Sequence, residues 1–282
     1  MRLATLARFT LALLLTTFSY STYAWNALGH MVVADIAYLN LSPAAQKKVD
    51  SLVGVLNQEY PEMKLFLNIA YWPDYIRSQR IESFTHWHYI DNPLRVDSTR
   101  AKAGMIDTDN AVWAVNTMKM VVKNDHANPY DRARFLSFMT HIVADLHQPL
   151  HTVSLVSVIH PDGDRGGNAY RVKYRNTNTS VHKLWDSGLG AFDGSANADN
   201  AMAISIAIRA AYPKSMFGDK VDDLNPTDWA TEGMENAKKY AYNTPEYQEV
   251  TNDYMVAGRK VAEQEAALAG YRLAAMLNQL LN

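Results

Sequence analysis

The stretch SFMTHIVADLHQPLHT, residues 137–152, places His141, His147 and His151 within eleven positions and sets Asp145 among them. On a helix His141 and Asp145, four apart, share a face, the spacing at which one helix offers two ligands to one cation. HKLWD repeats the pattern with His182 and Asp186. Upstream, WNALGH supplies His30, WPDYIR supplies Asp74 and HWHYID supplies His88. A single His-x-x-x-Asp pair is more often a plain pair on a helix surface. Two such pairs, a histidine just past Pro149 and another, His30, five residues after Trp25, where the signal-like composition of residues 1–24 places a newly cleaved amino terminus, point instead to metal. The chain has no cysteine. Nitrogen and carboxylate ligands without sulfur suit zinc in an open, catalytic style of site rather than a closed structural one, whereas a lone calcium asks for oxygens only.

Helices must position these groups. Leu28, Val32, Ile36 and Leu39 form one helical stripe. Ser42-Pro43 is a cap with proline at the first helical position, and Val49, Leu52, Val53 and Leu56 continue that helix. Ala111, Val115, Met118 and Val122 form the next stripe. Phe135, Met139, Ile142 and Leu146 form another, which Pro149 should end at Gln148. Leu273, Met276, Leu277 and Leu280 share a face of the last helix. Between 160 and 180, HPDGDRGGN is turn chemistry and AYRVKY alternates like a short strand. The expectation is an all-α protein, one mostly helical domain over 25–282, with an irregular or β-hairpin excursion near 160–180.

Residues 1–24 carry Arg2 and Arg8, the apolar run FTLALLLTTF, and small residues before Trp25. This is signal-peptide composition with cleavage after Ala24, and it implies a secreted or periplasmic product. The apolar run is shorter than the roughly 20 residues that span a bilayer, and no membrane association is expected. Without it 25 basic side chains face 29 acidic ones, a formal charge of −4. No basic nucleic-acid patch is evident, and no protein partner can be argued. Hydrophobic residues make up 48% of the chain, which excludes disorder.

In order, WNALGH, WPDYIR, HYID, HIVADLHQPLH, GGN and HKLWD resemble the secreted zinc-dependent single-strand nucleases, of the superfamily shared with bacterial zinc phospholipase C. The resemblance spans the mature chain and implies the helical phospholipase C/nuclease fold with three zinc ions. One ion would take Asp74, His88, His141 and Asp145. A second would take the amine and carbonyl of Trp25 with His30, bridged by Asp145. A third would take His151, His182 and Asp186. His86, His126, His147 and His160 receive no metal role, with His147 either behind the ligands or facing solvent.

The implied activity is endonucleolytic hydrolysis of single-stranded DNA and RNA to 5′-phosphate products, with 3′-nucleotidase activity on nucleotides. Asp74 would orient or deprotonate the attacking water. Arg77 would brace the phosphate, and Asn168 would contact it beside Gly167, whose missing side chain allows close backbone approach. Tyr89 would stack on a base and Asp91 would bond its edge. Two other readings use the same ligands. A zinc phospholipase C is disfavoured by Asp186, where that branch has glutamate, and by GGN. A non-catalytic zinc-binding protein leaves Arg77, Tyr89, Asp91 and Asn168 without a purpose.

Overall fold

The computed structural model describes residues 25–282; the expected signal peptide, residues 1–24, lies outside them. Ten α-helices and two small sheets make up the described residues. The helix α1 (Ala27–Tyr38) is buried along nearly its whole length, from Leu28 to Ala37. Its sequence has almost no polar face, and such a helix belongs inside a bundle. Asn26 caps it by accepting from Gly29 N.

Around α1 lie α2 (Pro43–Glu59), the short α3 (Phe66–Ile69) and α4 (Trp72–Ser78), then α5 (Ala111–Lys123) and α6 (Pro129–Asp145). After α7 (Val181–Asp186) and α8 (Ala198–Ala211) come α9 (Pro226–Asn236) and the 30-residue α10 (Asn252–Leu281). The C-terminal half of α10 is buried, and Gly270 lets it close on α1: a Cβ there would stand 2.6 Å from Ile36. Ser42 caps α2 with proline at its first turn, as the sequence predicts. Among the described residues no helix is long and apolar enough to cross a membrane.

One boundary differs from expectation. The helix α6 ends at Asp145, three residues before Gln148. His147 N bonds Ala144 O and Gln148 N bonds Asp145 O, so the last turn tightens before the proline acts. Pro149–His151 then forms a short 3-10 turn. The expected hairpin is present as β3 (Arg171–Tyr174) against β4 (Thr177–Ser180), antiparallel. A second pairing was not foreseen: β1 (Pro93–Arg95) runs parallel to β2 (Ser154–Val156). It continues from the bond of Ile90 N to His151 O (2.8 Å), so the Tyr89–Asp91 segment is laced to the segment carrying His151.

Candidate metal centre

Six elements converge on one site. The helix α1 brings His30, α4 brings Asp74, and the 3-10 turn Thr85–His88 brings His88. The last turns of α6 bring His141 and Asp145. The turn after α6 brings His151, and α7 brings His182 and Asp186. All eight side chains are buried.

Their atoms fall into two groups. In the first, His88 Nδ1 lies 3.0 Å from His141 Nε2 and 3.1 Å from Asp145 Oδ2. His141 Nε2 lies 3.4 Å from the same Asp145 oxygen. Asp74 Oδ1 is 3.8 Å from His141 Nε2 and 4.0 Å from His88 Nδ1. Four ligands about 2.0–2.1 Å from a tetrahedral zinc are separated by ~3.3 Å, and these five distances bracket that value. The other oxygen of Asp145, Oδ1, faces His30 Nε2 at 3.4 Å. The His30 ring stacks on His141, centroids 3.8 Å apart. In the second group His182 Nε2 lies 3.4 Å from Asp186 Oδ1, and the rings of His151 and His182 are 5.0 Å apart. The donor atoms of His151, His182 and Asp186 all lie within 4.8 Å of one another.

Backbone carbonyls fix the tautomers. His141 Nδ1 donates to Ala70 O (2.7 Å), His151 Nδ1 to His88 O (2.7 Å) and His182 Nδ1 to Gly166 O (2.6 Å). A carbonyl only accepts, so each Nε2 presents a lone pair to the centre. Gln148, fully buried, donates Nε2 to Asp186 Oδ1 at 2.8 Å while its Oε1 accepts from Leu150 N at 2.6 Å.

The group set fits divalent metal on its own evidence. Both nitrogens of His30, both oxygens of Asp74, Asp145 Oδ1 and His151 Nε2 are buried without a hydrogen-bond partner among the described residues. Unpaired buried polar atoms on this scale are costly unless a cation satisfies them. Burial raises the carboxyl of Asp74 to about 8, against the opposing charge of Arg77, and raises those of Asp145 and Asp186 well above the usual range. Burial likewise holds His30, His88 and His151 far below their ordinary value and His141 at about 3. The protein has assembled lone pairs and withheld positive partners.

Trp25 is fully buried, its ring edge-on to Phe192 at 5.2 Å, and the next amide, Asn26 N, bonds Asp186 O at 2.8 Å. Its backbone therefore enters beside the centre. Arg77, half-buried on α4 one turn after Asp74, counters with its charge the burial that raises the carboxyls of Asp74, Asp145 and Asp186. Asn168 is half-buried and donates Nδ2 to Arg165 O (2.9 Å). Gly167 has φ +80°, and a Cβ there would stand 2.6 Å from Val181, so glycine is required for both shape and space. Half-buried Tyr89 packs edge-on near His86, ring centroids 6.1 Å apart. Asp91, also half-buried, has its carboxyl pushed up to about 7 by burial and by Asp164.

The four histidines outside these two groups have other partners or lie exposed. His147 is buried, not solvent-facing: Nδ1 donates to Val143 O and Nε2 accepts from Arg272. His160 pairs with Glu246 at 3.1 Å, while His86 and His126 are exposed. Sequence reasoning missed Gln148 and Asp164. Gln148 sits inside the histidine-rich motif, and that position was its only signal. Asp164 is buried, accepts from Leu155 N and Tyr242 Oη, and braces the GGN loop.

The profile of the S1/P1 nucleases matches residues 25–282. This chain belongs to that family. S1/P1 nucleases hydrolyse phosphodiester bonds, and this protein is such an enzyme. It is similar to nuclease S1 of Aspergillus oryzae, 25% identical over 284 residues covering 91% of this chain and 92% of that protein. It is similar to endonuclease 4 of Arabidopsis thaliana, 26% identical with 97% and 95% covered. With nuclease P1 of Penicillium citrinum it shares 25% identity over 170 residues, 58% of this chain and 57% of that one.

Proposed function

We propose that this S1/P1 nuclease is a secreted or periplasmic endonuclease that cleaves single-stranded DNA and RNA to 5′-phosphate products, with 3′-nucleotidase activity, and that it holds three zinc ions. Asp74, His88, His141 and Asp145 would hold one ion. Trp25, through its freed amine and its carbonyl, would hold a second with His30 and Asp145. His151, His182 and Asp186 would hold the third. When bound, zinc supplies Lewis acidity toward water and phosphoryl oxygens. The observation that carries this reading is Asp145, whose Oδ1 faces His30 and whose Oδ2 faces His88 and His141. A carboxylate in that position would be able to serve two cations at once.

The chain's own side chains would do the rest. Asp74 orients the attacking water and takes its proton as the water oxygen bonds to phosphorus. The bond from phosphorus to the 3′ oxygen breaks with its electron pair on that oxygen, which takes up a proton from solvent to leave as a hydroxyl, and the phosphate stays on the 5′ side. Arg77, one turn after Asp74 on α4, forks onto the phosphoryl oxygens as charge develops. Asn168 adds an amide contact where Gly167 allows the backbone close. Tyr89 stacks on the base and Asp91 bonds its edge, which a paired base in a duplex cannot offer.

The test uses mature protein beginning at Trp25, with single-stranded DNA, RNA, duplex DNA and phosphatidylcholine assayed side by side. Cleavage of the single strands that a chelator abolishes and zinc restores supports the reading. Hydrolysis of the lipid alone, or zinc binding with no hydrolysis, overturns it.

A further inference from the structure

The first residues of a chain fray unless they are tied down, and the proposed second ion draws on one such residue, Trp25, for amine and carbonyl alike. The surroundings of Trp25 meet that demand. Asn26 N donates to Asp186 O at 2.8 Å. The Asn26 side chain bonds in opposite senses: Oδ1 accepts from Gly29 N at 3.0 Å, and Nδ2 donates to Phe192 O at 2.9 Å. The Phe192 ring stands edge-on to the Trp25 indole, centroids 5.2 Å apart, and both residues are fully buried.

The segment that receives these contacts is itself held. Phe192 N bonds Ser187 O at 3.0 Å, closing the turn that follows Asp186. Inside that turn Leu189 has φ +51°, a left-handed conformation that residues other than glycine seldom adopt. Arg259 of α10 donates Nε and Nη2 to Leu189 O at 3.1 and 2.9 Å, a charged fork on one carbonyl that keeps the turn in this shape. Geometry carries the hold back to the terminus. No peptide among the described residues is cis, so the Trp25 carbonyl points away from the N–H that Asp186 holds. Phe192 fixes the indole. With the Cβ and the carbonyl carbon both placed, the tetrahedral Cα of an L-residue leaves one position for the nitrogen.

We infer that Asn26 is a positioning residue for the amino terminus: its clasp on Phe192 aims the Trp25 amine and carbonyl at the metal beside His30. The inference rests on the proposed second ion. Because Asn26 N is bonded to the carbonyl of Asp186, the same clasp ties that ion's ligands to a ligand of the third.

The experiment uses mature protein beginning at Trp25 and reads zinc affinity by calorimetric titration. A second readout is acylation of the Trp25 amine by an activated acetate ester, followed by mass spectrometry of the first peptide with and without zinc. Asn26→Ser keeps the helix cap, since serine caps about as well as asparagine, but its short side chain cannot also reach Phe192 O. In this variant one zinc site should weaken about 10–100-fold while the others keep their affinity. The amine should also stay open to acylation at zinc concentrations that protect it in the unsubstituted protein. Asn26→Ala, which loses cap and clasp together, should show the same weakened site. Weakening in Asn26→Ala that Asn26→Ser does not share makes Asn26 a helix cap alone and overturns the inference, as does equal weakening of every site. An amine that zinc never protects in the unsubstituted protein removes Trp25 from the metal instead, and sinks the second ion's ligand set and the inference with it.

Discussion

His88 Nδ1 and His141 Nε2 stand 3.0 Å apart in a fully buried setting. His141 commits its Nδ1 hydrogen to Ala70 O, so its Nε2 is a bare lone pair. A second imidazole nitrogen at that distance is tolerable only if it carries a proton or if both nitrogens share a cation. The pair is therefore suited to hold either a proton or a metal ion between its nitrogens.

Asp145 and Asp186 should differ in what their loss removes. Asp145 touches both halves of the first group, whereas Asp186 belongs to the second alone. Asp145→Ala is expected to lower zinc content by two per chain and Asp186→Ala by one. Both should lose about 10³-fold or more in hydrolysis, since several kcal/mol of charge stabilisation disappear. Metal analysis of the two purified variants checks the split, and equal losses would contradict the bridging role of Asp145.

Gln148 should act through Asp186. Gln148→Ala leaves Asp186 Oδ1 without its 2.8 Å donor. Loss of such a supporting contact typically weakens metal affinity 10–100-fold. Zinc titration should show one site weakened and the other two unchanged.

The metal-free protein should have an unusual stability profile. Asp74 titrates near 8 folded and near 3.8 unfolded. Between those values the folded state binds more protons, so stability falls as pH rises through the window. The buried histidines have the opposite sign: their depressed folded values make stability rise with pH up to about 6.5. The melting temperature of the chelated protein should peak near pH 6.5 and decline toward pH 8. Zinc should abolish the alkaline decline, because ionised carboxylates then have partners. Differential scanning calorimetry from pH 5 to 8.5, with and without zinc, decides this.

Arg77 should matter for turnover more than for binding. Arg77→Ala is expected to lower kcat by about 10²–10³ with a smaller change in KM. Arg77→Lys should rescue little, because an ammonium lacks the planar fork. Steady-state kinetics on dTpdT separates the two parameters, and a pure KM effect would contradict the assignment.

Much of this arrangement could be read from residue order. The stripes of α2 and α5 showed in the sequence because each buries one recurring face, whereas α1 and the C-terminal part of α6 are buried all round and were legible from their apolar content. The His141–Asp145 and His182–Asp186 pairs showed because four-residue spacing survives any packing of the helices. The end of α6 did not, since a tightened turn at His147 and Gln148 stops the helix before Pro149 can. The parallel pairing of β1 with β2 joins segments some sixty residues apart, and three-residue strands carry no periodicity to announce them. The burial of His147 depends on Arg272, 125 positions away, and no local pattern encodes that contact.

The amino terminus gives a further test. Trp25 is buried beside Asp186, and its amine becomes available as a ligand only if cleavage leaves Trp25 first. A protein with one extra residue before Trp25 should bind one zinc fewer and lose most activity. Full activity with the extension retained would contradict the second ion's ligand set.

The most direct measurement is zinc content per chain of the mature protein, by inductively coupled plasma mass spectrometry after exhaustive dialysis, on samples that cleave single-stranded DNA. Three zinc ions per chain is the predicted result. Full activity with two or fewer, or with a different metal in their place, would contradict the account.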